Sequence, residues 1–214
     1  MGKIELVIFD FDGVIMDTEW AHAKAKKEIC RRRNYSMEED VTKSVGYSNL
    51  KFWKSVLADN GVVEDPRQLE QEQYEMVWKL LKEKHQKESP GLSKVLSTLK
   101  ENRIATAICS GSHKNFILRI LDDLGLASFF DWIAGGESTE NLKPAPDIFL
   151  QMLQKTKMEP EQAVVIEDSA SGCQAASRAE ISCIGYLNQG KNTQNLDLAE
   201  WKVEELKDIL QYIL

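Results

Sequence analysis

Two carboxylates one residue apart, Asp10 and Asp12, close the apolar run Leu6-Val7-Ile8-Phe9 and precede Gly13. The run is short, continuous and rich in β-branched and aromatic residues, the pattern of a fully buried strand. On an extended backbone the two acids project to one side, with Phe11 opposite. Unscreened carboxylates about 4 Å apart at an effective dielectric near 20 repel by roughly 4 kcal/mol. A cation relieves that repulsion, and so does a proton held by one of the pair. Both arrangements suit a reaction site. The competing reading is a polar loop that ends a strand and caps the next helix.

The elements that must position these acids follow from periodicity. After Gly13 the chain reads as helical, with Asp17 or Thr18 as the cap of a helix to about Arg33. Ser36-Met37-Glu38-Glu39 is a capping box for a short helix ending near Gly46. Ser48 caps a third helix that stops at Asn60-Gly61, and Asp65-Pro66 opens a fourth, with a stripe over Leu69, Gln73, Val77, Leu80 and Lys84. Residues 18–88 thus form a helical block without strands. Beyond Ser89-Pro90-Gly91, helices alternate with buried strands at 104–109, 132–134, 163–166 and 182–186, and residues 203–214 are expected as a terminal helix. This alternation predicts the α/β class, a Rossmann-like doubly wound parallel sheet. The helical block is inserted after its first strand. The expected domains are 1–17 with 89–214, and 18–88.

Composition narrows the function classes. The chain has 214 residues, 43% of them hydrophobic, and a net charge of −7. That charge gives no footprint for nucleic acid, and no apolar stretch approaches a membrane span. Residues 18–88 carry 14 basic against 13 acidic side chains, whereas the remainder carries 13 against 21. Solvated surfaces are the simpler reading of that split, and an anionic part that needs a cation is the alternative. The first residues run directly into a strand and are not expected to act as a signal peptide. Cys30, Cys109, Cys173 and Cys183 form no Cys-x-x-Cys pair and are expected as buried free thiols of a cytoplasmic protein.

In an open α/β sheet, ligands sit beyond the carboxyl ends of the strands. Those ends carry Asp10 and Asp12, then Ser110-Gly111-Ser112, then Gly135-Gly136 leading to Lys143-Pro144, and finally Glu167-Asp168. Four acids in one crevice suit a hard cation with oxygen ligands, and Mg²⁺ is the expected cofactor. Ser110 and Gly111 before a helix, with Lys143, suit an anion. Capping serines and a surface lysine are the separate alternatives. Their joint occurrence at successive strand ends favours a site.

These residues resemble the four ordered motifs of the haloacid dehalogenase superfamily: Asp10-Phe11-Asp12-Gly13-Val14, Ser110, Lys143 and Glu167-Asp168. The helical block is similar to the cap of the branch containing β-phosphoglucomutase and phosphoglycolate phosphatase. The resemblance implies that Asp10 attacks phosphorus and Asp12 moves protons. It implies Mg²⁺ held by Asp10, the Asp12 carbonyl and Asp168, with Glu167 adjacent, and phosphoryl oxygens held by Ser110, Gly111 and Lys143. The expected function is Mg²⁺-dependent hydrolysis of a small phosphorylated metabolite by a monomer, without nucleic acid or membrane.

A phosphosugar mutase is the alternative. Asn49 stands where those mutases carry an arginine after the cap glycine, Gly46, and Glu70-Gln71-Glu72-Gln73 contains no lysine. Both departures weaken that alternative without eliminating it, since Lys51 could substitute. Glu19 and His22, early in the cap, are candidates to read the substrate together with Gly46 and Asn49. Gly185–Asn192 nearly matches a nucleotide P-loop, but Asn192 replaces the required hydroxyl residue, and a surface loop is expected. Glu180 stands where many relatives have glycine.

Overall fold

The computed structural model describes residues 3–37, 48–190 and 192–214. They form two compact units, Met1–Asp17 with Lys87–Leu214, and Thr18–Gln86. Lys87 and Glu88, expected with the helical block, fall in the first unit.

The first unit is built on a six-stranded sheet: β1 (Leu6–Phe9), β2 (Ala105–Cys109), β3 (Trp132–Ala134), β4 (Ala163–Glu167), β5 (Ser182–Tyr186) and β6 (Trp201–Val203). The spatial order is β3-β2-β1-β4-β5-β6, and every pairing is parallel. β1 lies between β2 and β4, and Leu6, Val7, Ile8 and Phe9 are wholly buried. A strand covered on both faces needs apolar residues at every position, hence the unbroken run. Helices α4 (Leu92–Glu101), α5 (Lys114–Leu124), α6 (Asp147–Thr156) and α7 (Ala170–Arg178) alternate with the strands. Leu92, Val95, Leu96 and Leu99 bury one stripe of α4, and Phe116, Ile117, Ile120 and Leu121 do so for α5. Gly125 ends α5 at φ 70°, a left-handed position suited to glycine.

The end of the chain departs from expectation. Residues 203–214 are not one helix. Trp201–Val203 pairs with β5, a 3₁₀ turn spans Leu206–Ile209, and helix α8 covers only Leu210–Ile213. Leu206, Ile209 and Ile213 are buried at helical spacing, which mimics the signal of a longer helix.

The second unit contains α1 (Glu19–Arg33), α2 (Asn49–Asp59) and α3 (Pro66–Glu83). Its core joins Ile29 and Cys30, Trp53, Val56 and Leu57, and Leu69. Thr18 occupies the N-cap of α1 without a side-chain cap bond, whereas Ser48 and Asp65 cap α2 and α3 through their side chains. The stripe of α3 runs through Leu69, Gln73, Tyr74, Val77 and Leu81, so Leu81 replaces the expected Leu80. The helix expected between the capping box and Gly46 lies outside the described residues. No helix among the described residues is long and apolar enough to cross a membrane. All four cysteines are buried free thiols, with the Cys173 and Cys183 sulfurs 3.8 Å apart.

Candidate active site

Asp10 follows β1 directly and remains attached to the sheet, its N–H donating to Ile166 O at 2.9 Å. The chain then turns at Gly13, whose φ of 83° suits glycine. A Cβ at Gly13 would overlap the Asp168 carboxylate, so glycine also permits the close approach of motif one to the end of β4. Glycines draw neighbouring loops together in the same way after β2 and β3. Gly136 N donates to Ser112 O at 3.0 Å, and a Cβ on Gly136 would strike the Gly111 carbonyl.

The loop after β3 carries Lys143 to the ends of three strands. Its ammonium donates to Asp10 Oδ1 at 2.7 Å, Cys109 O at 2.8 Å and Glu167 Oε1 at 2.6 Å. All three donors of the ammonium are thereby used. The Arg178 guanidinium donates to the Pro144 carbonyl at 2.7 Å and holds the same loop.

Asp12 has different surroundings. Its Oδ2 accepts from Ser112 Oγ at 2.7 Å and from Ser110 Oγ at 3.2 Å. Ser110 Oγ in turn accepts the Ser112 N–H at 3.1 Å. One carboxylate therefore faces an ammonium and the other faces two hydroxyls, an asymmetry that allows two adjacent acids to do different work.

Glu167 is wholly buried. Its Oε1 receives Lys143, and its Oε2 receives Asp168 N, Ser169 N and Ser169 Oγ at 3.1, 3.1 and 2.9 Å. A Cβ on Gly172, in the first turn of α7, would overlap this carboxylate. Glu167 is thus an anchor for Lys143 and for the turn that presents Asp168.

One oxygen each from Asp10, Glu167 and Asp168 can be chosen so that all lie within 4.8 Å of one another. Burial pushes the Asp10 carboxyl up to about 8; Lys143 pulls it down, and Glu167 and Asp12 push it up. Burial works against the charged form of Lys143, but Asp10 and Glu167 outweigh it and hold the ammonium above the ordinary lysine range. The buried Asp10 carboxylate is thus poorly solvated even beside Lys143. An all-oxygen set of three carboxylates fits a hard divalent cation, which would favour the charged form of Asp10. Cys109 is no competing ligand, since burial raises its thiol to about 12.

The first unit thus brings together Asp10, Asp12, Ser110, Lys143, Glu167 and Asp168. The Asp12 carboxylate is turned to the serines and stands outside the acidic group of three. Gly111 is exposed beside Gly136. Glu19, His22 and Asn49 belong to the second unit, and Gly46 lies outside the described residues.

Sequence reasoning missed two participants. Ser112 was visible as a hydroxyl at a helix start, where capping explains it equally well, yet it makes the shorter bond to Asp12. Asn192, in the loop that imitates a P-loop, donates from Nδ2 to Asp168 O at 2.6 Å and to Tyr186 O at 3.0 Å. It fixes the backbone of a candidate metal ligand from a loop expected only to be surface.

The chain is 30% identical over 221 residues to a phosphorylated carbohydrates phosphatase of Thermotoga maritima, covering 99% of this chain and 100% of the relative. It is 31% identical to a fructose-1-phosphate phosphatase of Escherichia coli over 83% of this chain and 94% of the relative. A β-phosphoglucomutase structure from Clostridium difficile superposes with a TM-score of 0.83 at 27% identity, covering 98% of this chain and 95% of that one. The sequence model of the haloacid dehalogenase-like hydrolases matches residues 7–186, and the chain belongs to that family.

Proposed function

We propose that this chain is a Mg²⁺-dependent phosphatase of small phosphorylated metabolites, sugar phosphates foremost. The observation that carries the reading is the unequal setting of the two acids: Asp10 against the Lys143 ammonium, Asp12 against two serine hydroxyls. Relatives named as phosphatases of phosphorylated carbohydrates and of fructose 1-phosphate support it.

Asp10 attacks phosphorus, forming a carboxylate–phosphorus bond as the ester oxygen departs with its electron pair. Asp12, protonated at that stage, gives its proton to the departing oxygen. In the second half Asp12 takes a proton from water, the water oxygen bonds to phosphorus, and Asp10 is released with orthophosphate. The Ser110 hydroxyl, the Gly111 N–H and Lys143 hold the phosphoryl oxygens as charge spreads over them. Asp10, the Asp12 carbonyl and Asp168 would hold Mg²⁺, which would supply charge neutralisation for the transferring group. Glu167 orients Lys143 and the Asp168 turn. The helical unit is read as a cap that selects the part of the substrate beyond phosphate through Glu19, His22, Gly46 and Asn49.

A phosphosugar mutase is the second reading, favoured by the likeness to the Clostridium difficile enzyme. Asn49 and Gln73 speak against it, because both are neutral where a second phosphate needs charge. A panel of several dozen phosphorylated metabolites, assayed for phosphate release with and without Mg²⁺, tests the proposal. Release from a sugar phosphate only with Mg²⁺ supports it; no turnover of any ester by metal-loaded protein overturns it. Conversion of a sugar 1-phosphate to the 6-phosphate, primed by a bisphosphate, identifies the mutase instead.

A further inference from the structure

The paired register of β4 and β5 ends at Glu167 and Gly185. Just beyond it, one side chain holds the carbonyls that follow on both strands. Asn192 Nδ2 donates to Asp168 O at 2.6 Å and to Tyr186 O at 3.0 Å. Carbonyl oxygens only accept, so these contacts fix which end of the amide is nitrogen, and both of its hydrogens are used. Asn192 Oδ1 accepts the Gln194 N–H at 2.8 Å, and the Asn192 N–H donates to Leu187 O at 3.1 Å. The amide thus adds a cross-link between two strand ends where the backbone ladder stops. On the Asp168 side the chain is held a second time, because Asp168 N donates to Glu167 Oε2 at 3.1 Å. The peptide groups before and after the Asp168 Cα are both fixed, and together they set the direction in which its side chain leaves the backbone. Space there is tight: the carboxylate lies where a Cβ on Gly13 would stand.

We propose that Asn192 is a positioning residue for the metal site: by joining the ends of β4 and β5 it aims the Asp168 carboxylate toward the group formed with Asp10 and Glu167, and so sets the affinity for a divalent cation. The inference rests on the metal-dependent reading of that site. One oxygen from each of the three acids can be chosen within 4.8 Å of the others, and a turn of the Asp168 backbone would break up that group. Asn192 acts through this backbone and contributes no charge. A neutral donor suits the place. An acid there would turn acceptors toward two carbonyls, and a basic side chain would set a positive charge close to the carboxylate that the cation needs. Partners that orient metal ligands typically control affinity by about 10- to 100-fold.

Asn192→Leu keeps the volume, removes both donors and adds no charge. Titration calorimetry of the folded, metal-free protein with Mg²⁺ reads the affinity directly, apart from any turnover. Kd for Mg²⁺ should rise about tenfold or more. At saturating Mg²⁺, kcat should stay within about threefold, since the bound cation then draws Asp168 back into place. Asn195→Ala is the comparison. Asn195 Oδ1 accepts the Asp197 N–H at 2.9 Å further along the same segment. Its loss should lower the midpoint of urea unfolding and leave Kd for Mg²⁺ within about twofold. Should Asn192→Leu fail to fold, Asn192→Ala gives the same reading, and failure of both overturns the inference in favour of a purely structural role. Equal Kd in native and variant protein, whatever the change in kcat, or an equal rise with Asn195→Ala, overturns it alone and leaves the phosphatase reading standing. A native protein that binds no Mg²⁺ overturns the metal-dependent reading and this inference with it.

Discussion

Lys143 Nζ and Glu167 Oε1 meet at 2.6 Å, and solvent reaches no part of the Glu167 side chain. Breaking a buried pair by removing one partner leaves the other charge uncompensated and typically costs about 3–5 kcal/mol. Lys143→Met should therefore destabilise the metal-free protein by about 3 kcal/mol in urea unfolding, because the buried Glu167 carboxylate then loses its cation. Saturating Mg²⁺ should recover part of that loss, and phosphatase kcat should still fall by about 100-fold or more. Equal stability of variant and native protein in EDTA would count against the ammonium as the keystone of the crevice.

Asp10 and Asp12 should separate kinetically. Asp10→Asn should give no phosphoenzyme, and a labelled phosphoenzyme surviving that change would refute its role. Asp12→Asn should slow turnover by about 100- to 10,000-fold, the range of a lost general acid–base. Ser112→Ala should cost less, about tenfold, since Ser110 still donates to the same oxygen. Rapid-quench measurement of the bound phosphate distinguishes the three variants.

The raised pKa of Asp10 gives the metal-free protein a pH dependence of definite sign. The folded state holds the proton until about pH 8, whereas the unfolded chain loses it near 3.8. The folded form thus binds more protons between those limits, and the Asp10 contribution to stability falls as pH rises through that window. Asp10→Asn should flatten this part of the profile measured in EDTA. For the same reason, Mg²⁺ affinity in the native protein should climb with pH and level off near 8. Titration calorimetry in two buffers would detect the proton released at pH 7.

Glu180 adopts a φ of 60° just past Ala179, the C-cap of α7. A left-handed conformation costs a residue with a Cβ roughly 1–2 kcal/mol, and glycine's greater freedom in the unfolded chain offsets about half of the relief. Glu180→Gly should stabilise the protein by about 0.5 kcal/mol, with catalysis unchanged. A lower melting temperature would contradict this.

Gly172→Ala should act in the opposite direction. Its methyl would fall on the Glu167 carboxylate. Overpacking at such a site costs about 1–3 kcal/mol, and displacing Glu167 should weaken Mg²⁺ binding as well, which calorimetry would read.

Much of this architecture was legible because parallel strands covered on both faces need continuous apolar runs, and Leu6–Phe9 and Ala163–Ile166 show them plainly. The strand ends then pointed to Asp10, Ser110, Lys143 and Asp168 without any measured distance. Trp201–Val203 was not legible. It has three residues of mixed exposure, and it exists through its pairing with a strand 15 positions upstream, which no local window detects. Ser112 was hidden because a serine before a helix has a sufficient local explanation. Asn192 was hidden because its amide grips backbone carbonyls, which no residue type advertises. The 2.7 Å hydrogen bond from the Trp53 indole to Gln73 depends on two helices meeting, and helical spacing alone suggested only a loose apolar stripe.

The Lys143 ammonium joins Asp10 on β1, the Cys109 carbonyl on β2 and Glu167 on β4. These partners are separated by up to 133 residues along the chain from their lysine. During synthesis Asp10 emerges early, long before Lys143 and Glu167 exist. On the proposed mechanism, Asp10 lacks its ammonium partner in any fragment that ends before Lys143, and that lysine lacks Glu167 in any fragment that stops short of β4. The candidate site is thus complete only once strands from both sides of β1 have been made.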